Sequence, residues 1–90
     1  MGARPVLESL ATGKGWVVTG GAWSSTFSRM KRGDVTISVS WYPHGAVRNA
    51  RRFVGSNQTG AINRGDIDRR KSLERWIKEP LFVLTEGKGQ

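Results

Sequence analysis

The residues in this chain with the clearest chemical potential are its cations. Residues 29–71 hold ten basic side chains, Arg29, Lys31, Arg32, Arg48, Arg51, Arg52, Arg64, Arg69, Arg70 and Lys71, against three acids, Asp34, Asp66 and Asp68. Nearly all of the formal net charge of +8 therefore comes from one stretch of a 90-residue chain. A positive field concentrated in this way is what a protein uses to meet a polyanion, most often nucleic acid. Arginine outnumbers lysine ten to five, and its planar fork suits bidentate contacts to phosphate and to guanine edges. These ten residues form the expected nucleic-acid-binding set. If about five of them neutralise phosphates, the binding constant should fall with a log-log salt slope of about −4.5, a loss of roughly 500-fold from 50 to 200 mM salt.

Other chemistries find less support. His44 is the only histidine and lies in a Pro-His-Gly turn with no acid beside it in sequence, a poor start for a nucleophile, base and orienter set. There is no cysteine, and the seven acids are spread along the chain, so neither a thiolate nor an oxygen-cage metal site is expected. Asp66 and Asp68 read as charges at a helix N-terminus, where the dipole favours them, and not as a catalytic pair. Gly13-Lys14-Gly15 and Gly20-Gly21 lack the spacing and the terminal Lys-Ser/Thr of a phosphate loop. Arg-Gly-Asp occurs twice, at 32–34 and 64–66, in both cases where a glycine serves to start the next element. No enzymatic activity and no cofactor are expected.

A chain of this length makes one domain that buries roughly 65% of its unfolded surface, enough for one modest core. Residues 1–90 are expected to form that single domain, with frayed tails at 1–3 and 86–90. Trp16, Trp23, Trp41 and Trp76 are the candidate core aromatics. The N-terminus lacks the apolar segment of a signal peptide, and the longest uncharged apolar run, 81–84, is too short to span a bilayer. A soluble, cytoplasmic protein is expected, and the absence of cysteine fits a reducing compartment.

The elements that must position the cations follow from periodicity. Residues 4–13 read as a short helix, with Pro5 in its first turn, Gly13 at its stop and Val6, Leu7, Leu10 and Ala11 as its apolar stripe. A strand beginning at Gly15 meets Gly20-Gly21 and either bends or breaks there before the stretch 22–30. The clearest strand spans 34–42, where Val35, Ile37, Val39 and Trp41 alternate with Thr36, Ser38, Ser40 and Tyr42. Lys31-Arg32-Gly33 before it and Tyr42-Pro43-His44-Gly45 after it read as hairpin turns, giving a three-stranded antiparallel meander. The third strand, 46–54, alternates imperfectly, which predicts a bulge or an edge position. Residues 55–65 read as a polar, glycine-punctuated loop pinned by Ile62. A second helix, capped by Asp66 or Asp68 and stopped by Pro80, runs to about Glu79 with Leu73, Trp76, Ile77 and Ile67 on its buried side. Residues 81–84 are expected to add a short final strand or to dock on the core. The class is α+β, a helix, three strands and a helix, with both helices on the sheet face that carries Ile37 and Trp41.

On this plan Arg48 and Arg52 project together from the polar sheet face, beside Ser38, Ser40 and Tyr42, and the remaining cations clamp backbone phosphates around it. The order helix, three strands, helix looks like the layout of double-stranded RNA binding domains. Asp68-Arg69-Arg70-Lys71 resembles the lysine-rich phosphate clamp that such domains carry at the start of their second helix. It is equally similar to three-stranded sheets that present arginines to the DNA major groove. The expected function is therefore non-enzymatic nucleic-acid binding, with duplex DNA favoured over RNA. The competing expectation is a small phage- or mobile-element-type adaptor or inhibitor that docks on an acidic host protein. Trp23 or Tyr42 exposed beside the basic patch would favour the protein partner, and sheet arginines flanked by small polar residues would favour nucleic acid.

Overall fold

The computed structural model describes residues 3–20 and 26–79. Within them lie a helix, α1 (Arg4–Gly13), five strands, β1 (Val17–Thr19), β2 (Phe27–Arg32), β3 (Val35–Trp41), β4 (Val47–Val54) and β5 (Asn57–Ile62), and a helix, α2 (Arg69–Lys78). The strands form one antiparallel sheet in sequential order β1-β2-β3-β4-β5. The α+β class agrees with the sequence, but the sheet has five strands where three were expected. Trp23 and the strand or docked segment expected at 81–84 lie outside the described residues, as do most of the expected tails.

The two extra strands are the edges: β1 is separate from the strand that its residues were expected to begin, and β5 lies where a loop was expected. β1 is three residues long, with Val17 and Thr19 exposed, so it carries almost no burial pattern. β5 was read as loop because only Ile62 of its six residues is buried. An edge strand that packs through one end needs few apolar residues. The turns before β3 and before β5 are two residues long, and Gly33 and Gly55 open them at φ 61, a backbone state that side chains other than glycine's rarely adopt. The first turn is thus Gly33-Asp34, and Lys31 and Arg32 belong to the strand.

Period-two alternation then sorts the sheet into two faces. Met30, Val35, Ile37, Val39, Trp41, Val47, Ala50 and Ile62 point to one side and are almost fully buried with Leu7 and Ala11 of α1 and Leu73 and Ile77 of α2. Each large apolar side chain removed from water here contributes about 1.5–3 kcal/mol. Both helices cover this face, as expected. Ile67 is not part of the stripe, being 86% exposed.

Polar ties fix the helices on the sheet. Trp16 Nε1 donates to the Ile77 carbonyl oxygen at 2.9 Å, joining the segment after α1 to the end of α2. Trp41 Nε1 donates to Ser28 Oγ at 3.0 Å. The fully buried Ser28 hydroxyl donates in turn to Glu8, whose Oε2 also accepts from Arg4 Nε at 3.0 Å. In α2, Asp68 occupies the N-cap position at φ 57 without a capping side-chain bond, while Asp66 Oδ2 accepts from the Asn63 amide at 2.8 Å. Within α2, Lys78 Nζ pairs with Glu74 Oε2 one turn away at 3.2 Å.

Gly60 of β5 packs against Trp76 of α2: a Cβ there would lie 2.8 Å from Trp76 Cζ2. Gly60→Ala should therefore destabilise the protein by about 1–3 kcal/mol through overpacking, read as a lower urea midpoint; an unchanged midpoint would mean that Trp76 is free to move aside.

Candidate nucleic-acid interface

The ten candidate cations do not share one surface. Three of them are built into the fold, Arg32 and Arg52 from the helical face of the sheet and Arg69 from the start of α2. The Arg32 guanidinium stacks 4.5 Å above the Trp16 ring and donates to the Lys14 carbonyl at 3.0 Å and to the Glu79 carbonyl. That of Arg52 lies 5.0 Å from the Trp76 ring centre and pairs with Glu79 Oε1 at 2.8 Å. It also donates to the hydroxyl and carbonyl oxygens of Thr59 at 3.0 and 3.3 Å. Arg69 donates to the Val47 carbonyl at 2.9 Å and to the Asp66 carbonyl at 3.1 Å, and also to the Arg64 carbonyl. These bonds lock the start of α2 to the start of β4.

Two bulges explain why the expected pairing of Arg48 with Arg52 fails. Ser40 lies opposite Asn49 and Trp41 opposite Val47, so Arg48 is an extra residue in β4. The strand changes phase there, and Val47 and Ala50 both point to the core. Ala50, Arg52 and Val54 consequently face the helices, and Asn49, Arg51 and Phe53 face the other way. A second irregularity makes Thr59 the extra residue of β5, between the Arg52–Gly60 and Phe53–Gln58 pairs, and both of its oxygens serve Arg52. β4 is an interior strand, and the imperfect alternation in its sequence is the bulge.

The face left uncovered by the helices carries a different trio. Thr19, Arg29, Ser38, Arg51 and Ala61 line up as successive cross-strand partners in one row. Val17, Lys31, Thr36, Phe53 and Gln58 form the adjacent row. Phe27, Ser40 and Asn49 form a third on the opposite side of the arginines. Arg29, Lys31 and Arg51 are exposed, and Arg29 and Arg51 flank Ser38 at a Cα separation of about 10 Å, two strand spacings. None of the five described strands contains Asp or Glu. Among the described residues the three salt bridges, Arg4 to Glu8, Arg52 to Glu79 and Lys78 to Glu74, all involve helix residues or the residue after α2. No carboxylate among the described residues pairs with the open-face cations.

The other four candidates lie apart from this trio. Arg48 is exposed at the bulge, and Arg64 and Arg70 are exposed next to the Arg69 tie. Lys71 shares a flank of α2 with Glu74, Arg75, Lys78 and Glu79, where two acids dilute its field. The resemblance in layout to double-stranded RNA binding domains ends with the five strands, and the Asp68-Arg69-Arg70-Lys71 segment spends Arg69 on internal bonds. Phe27 and Phe53, half-buried on the open face, were not identified from sequence. Placing the bulge at Arg48 would have found Phe53, since it shares a face with Arg51.

No protein-family model matches the chain, and comparisons with curated proteins and with solved structures found no significant match. No helix among the described residues is long and apolar enough to cross a membrane.

The two neighbouring arginines of β4 should behave oppositely. Arg52→Ala removes the Trp76 stack, the Glu79 pair and both Thr59 bonds from a side chain that is 14% exposed, for an expected loss of about 1–3 kcal/mol. Arg51→Ala should change stability by no more than about 0.5 kcal/mol. Urea titrations of the two variants read the difference directly, and equal losses would place both side chains on the same face.

Proposed function

We propose that this protein binds nucleic acid through the open face of its sheet, using Arg29, Lys31 and Arg51, and catalyses no reaction on it. The observation that carries this reading is the separation of charge. The acids of the described chain sit on helices, turns and loops, and the open face holds cations among hydroxyl, amide and small side chains, with Val17, Phe27 and Phe53 as its large apolar residues. A surface of this kind attracts phosphates without a competing internal carboxylate. Ser38 between Arg29 and Arg51 adds a hydroxyl that donates to phosphate or base edges. Arg48, Arg64, Arg70 and Lys71 contribute to the field at longer range.

The flanking residues favour nucleic acid over an acidic protein. Thr19, Ser38 and Ala61 surround the two arginines, with no large exposed aromatic in their row. Tyr42 is half-buried and stacks on His44 at 5.3 Å, beyond the end of β3. The width of the face constrains the mode. Five strands span about 19 Å, more than the roughly 12 Å of a major groove, so the whole face lies along a backbone and does not enter the groove. A cytoplasmic location fits a cysteine-free, nucleic-acid-binding chain.

The triple variant Arg29→Ala, Lys31→Ala, Arg51→Ala tests the reading by fluorescence anisotropy against labelled DNA and RNA at several salt concentrations. It should fold as the parent does, bind more weakly and lower the magnitude of the log-log salt slope by about 2–3. A slope unchanged from the parent would remove the open face as the binding surface.

A further inference from the structure

We propose that the open face takes unpaired nucleotides, with a base stacked on Phe53 and the adjoining phosphate held by Arg29 and Lys31. This rests on the reading of the open face as the nucleic-acid surface. Phe53 does not lie on a flat sheet. With Arg29, Lys31, Thr36, Ser38 and Gly55 it lines a shallow concavity of roughly 280 Å³. The opposite flank of the Arg29 and Lys31 pair borders a second concavity, of roughly 430 Å³, against Val17 and Thr19 of β1. The two cations thus stand as a ridge between two hollows, one of which has an aromatic ring in its wall.

Three features of the Phe53 hollow match one unpaired nucleotide. A half-buried phenylalanine costs little ordering entropy and offers a π-face that any base can stack on. Two cations supply the phosphate contact, and the hydroxyls of Thr36 and Ser38 donate to or accept from a base edge or sugar. A paired base has its faces covered by its neighbours in the stack, so this contact is open only to a single strand, a loop or an end. Phe27 extends the track. It lies under the Arg29 guanidinium, 6.0 Å from ring centre to Cζ, two strands and four residues away from Phe53, a separation of about 16 Å. At the 3.4 Å rise of a stacked strand that distance corresponds to about five nucleotides, within the site sizes of single-strand-binding domains.

Anisotropy with three labelled DNA probes decides the matter: oligothymidylate, the same oligomer with every base removed, and the oligothymidylate annealed to its complement. The parent protein should bind oligothymidylate roughly 5- to 100-fold more tightly than the abasic strand, the range that one stacked base supplies. Phe53→Leu, which keeps apolar volume without a π-face, should narrow this preference by at least about 5-fold, and Phe53→Tyr should restore it. Urea midpoints of both variants separate lost stacking from lost folding. Equal binding of the thymidylate and abasic strands by the parent, with salt-sensitive binding that the Arg29, Lys31 and Arg51 triple variant weakens, would overturn the stacking proposal and leave the electrostatic surface standing. Preference for the annealed duplex would also overturn it. Failure of every probe to bind would overturn both, and would turn attention to an acidic protein.

Discussion

Successive residues of a β-strand point to opposite faces of the sheet, and that constraint decides which charges of this molecule face solvent. Arg51 and Arg52 are neighbours in sequence and have no common surroundings in the fold. Arg52 is on the helical side, where Trp76, Glu79 and Thr59 fix it, and Arg51 is on the open side opposite Ser38. The same division acts in β2, where Arg32 is stacked on Trp16 while Arg29 and Lys31 are exposed. Because a single register slip would exchange the two sets, the glycine turns and the bulge at Arg48 determine the surface as much as the fold.

Tryptophan and arginine meet repeatedly on the helical face. Arg32 lies over Trp16, Arg52 over Trp76, and Arg4 5.8 Å from the Trp41 ring centre. A guanidinium is weakly hydrated and planar, so it covers an indole at lower desolvation cost than an ammonium would. In a chain of modest apolar content these stacks extend the core outward and link sheet, α1 and α2. The acids follow the same logic. Glu8 and Glu79 compensate the inward arginines, which leaves the outward cations of the sheet without a local counter-charge among the described residues.

Much of this was legible in the sequence. The boundaries of α1, the alternation of β3, the turn at 42–45 and the apolar stripe of Leu73 and Ile77 all follow from periodicity and turn chemistry. The five-strand count was not, because β1 is only three residues long and reads as the start of the next strand, and β5 is polar, with a glycine at the position where Trp76 packs. Half-hidden too was the phase of β4. The irregular pattern announced a bulge or an edge position, but the residue types do not say which, and without an extra residue before Arg51 the faces of Arg51 and Arg52 would be exchanged. Total charge was readable from composition, whereas its partition between structural and exposed roles depended on long-range partners such as Glu79, which is 27 positions from Arg52.

Amide chemical-shift mapping during titration with a short single-stranded oligonucleotide distinguishes the exposed cations of the sheet from those of α2 as the binding face. The account predicts the largest perturbations at Arg29, Lys31, Thr36, Ser38, Arg51 and Phe53, with Arg70, Lys71 and Arg75 little changed. Perturbations concentrated on α2 and the Arg64 loop, with the open face silent, would contradict it.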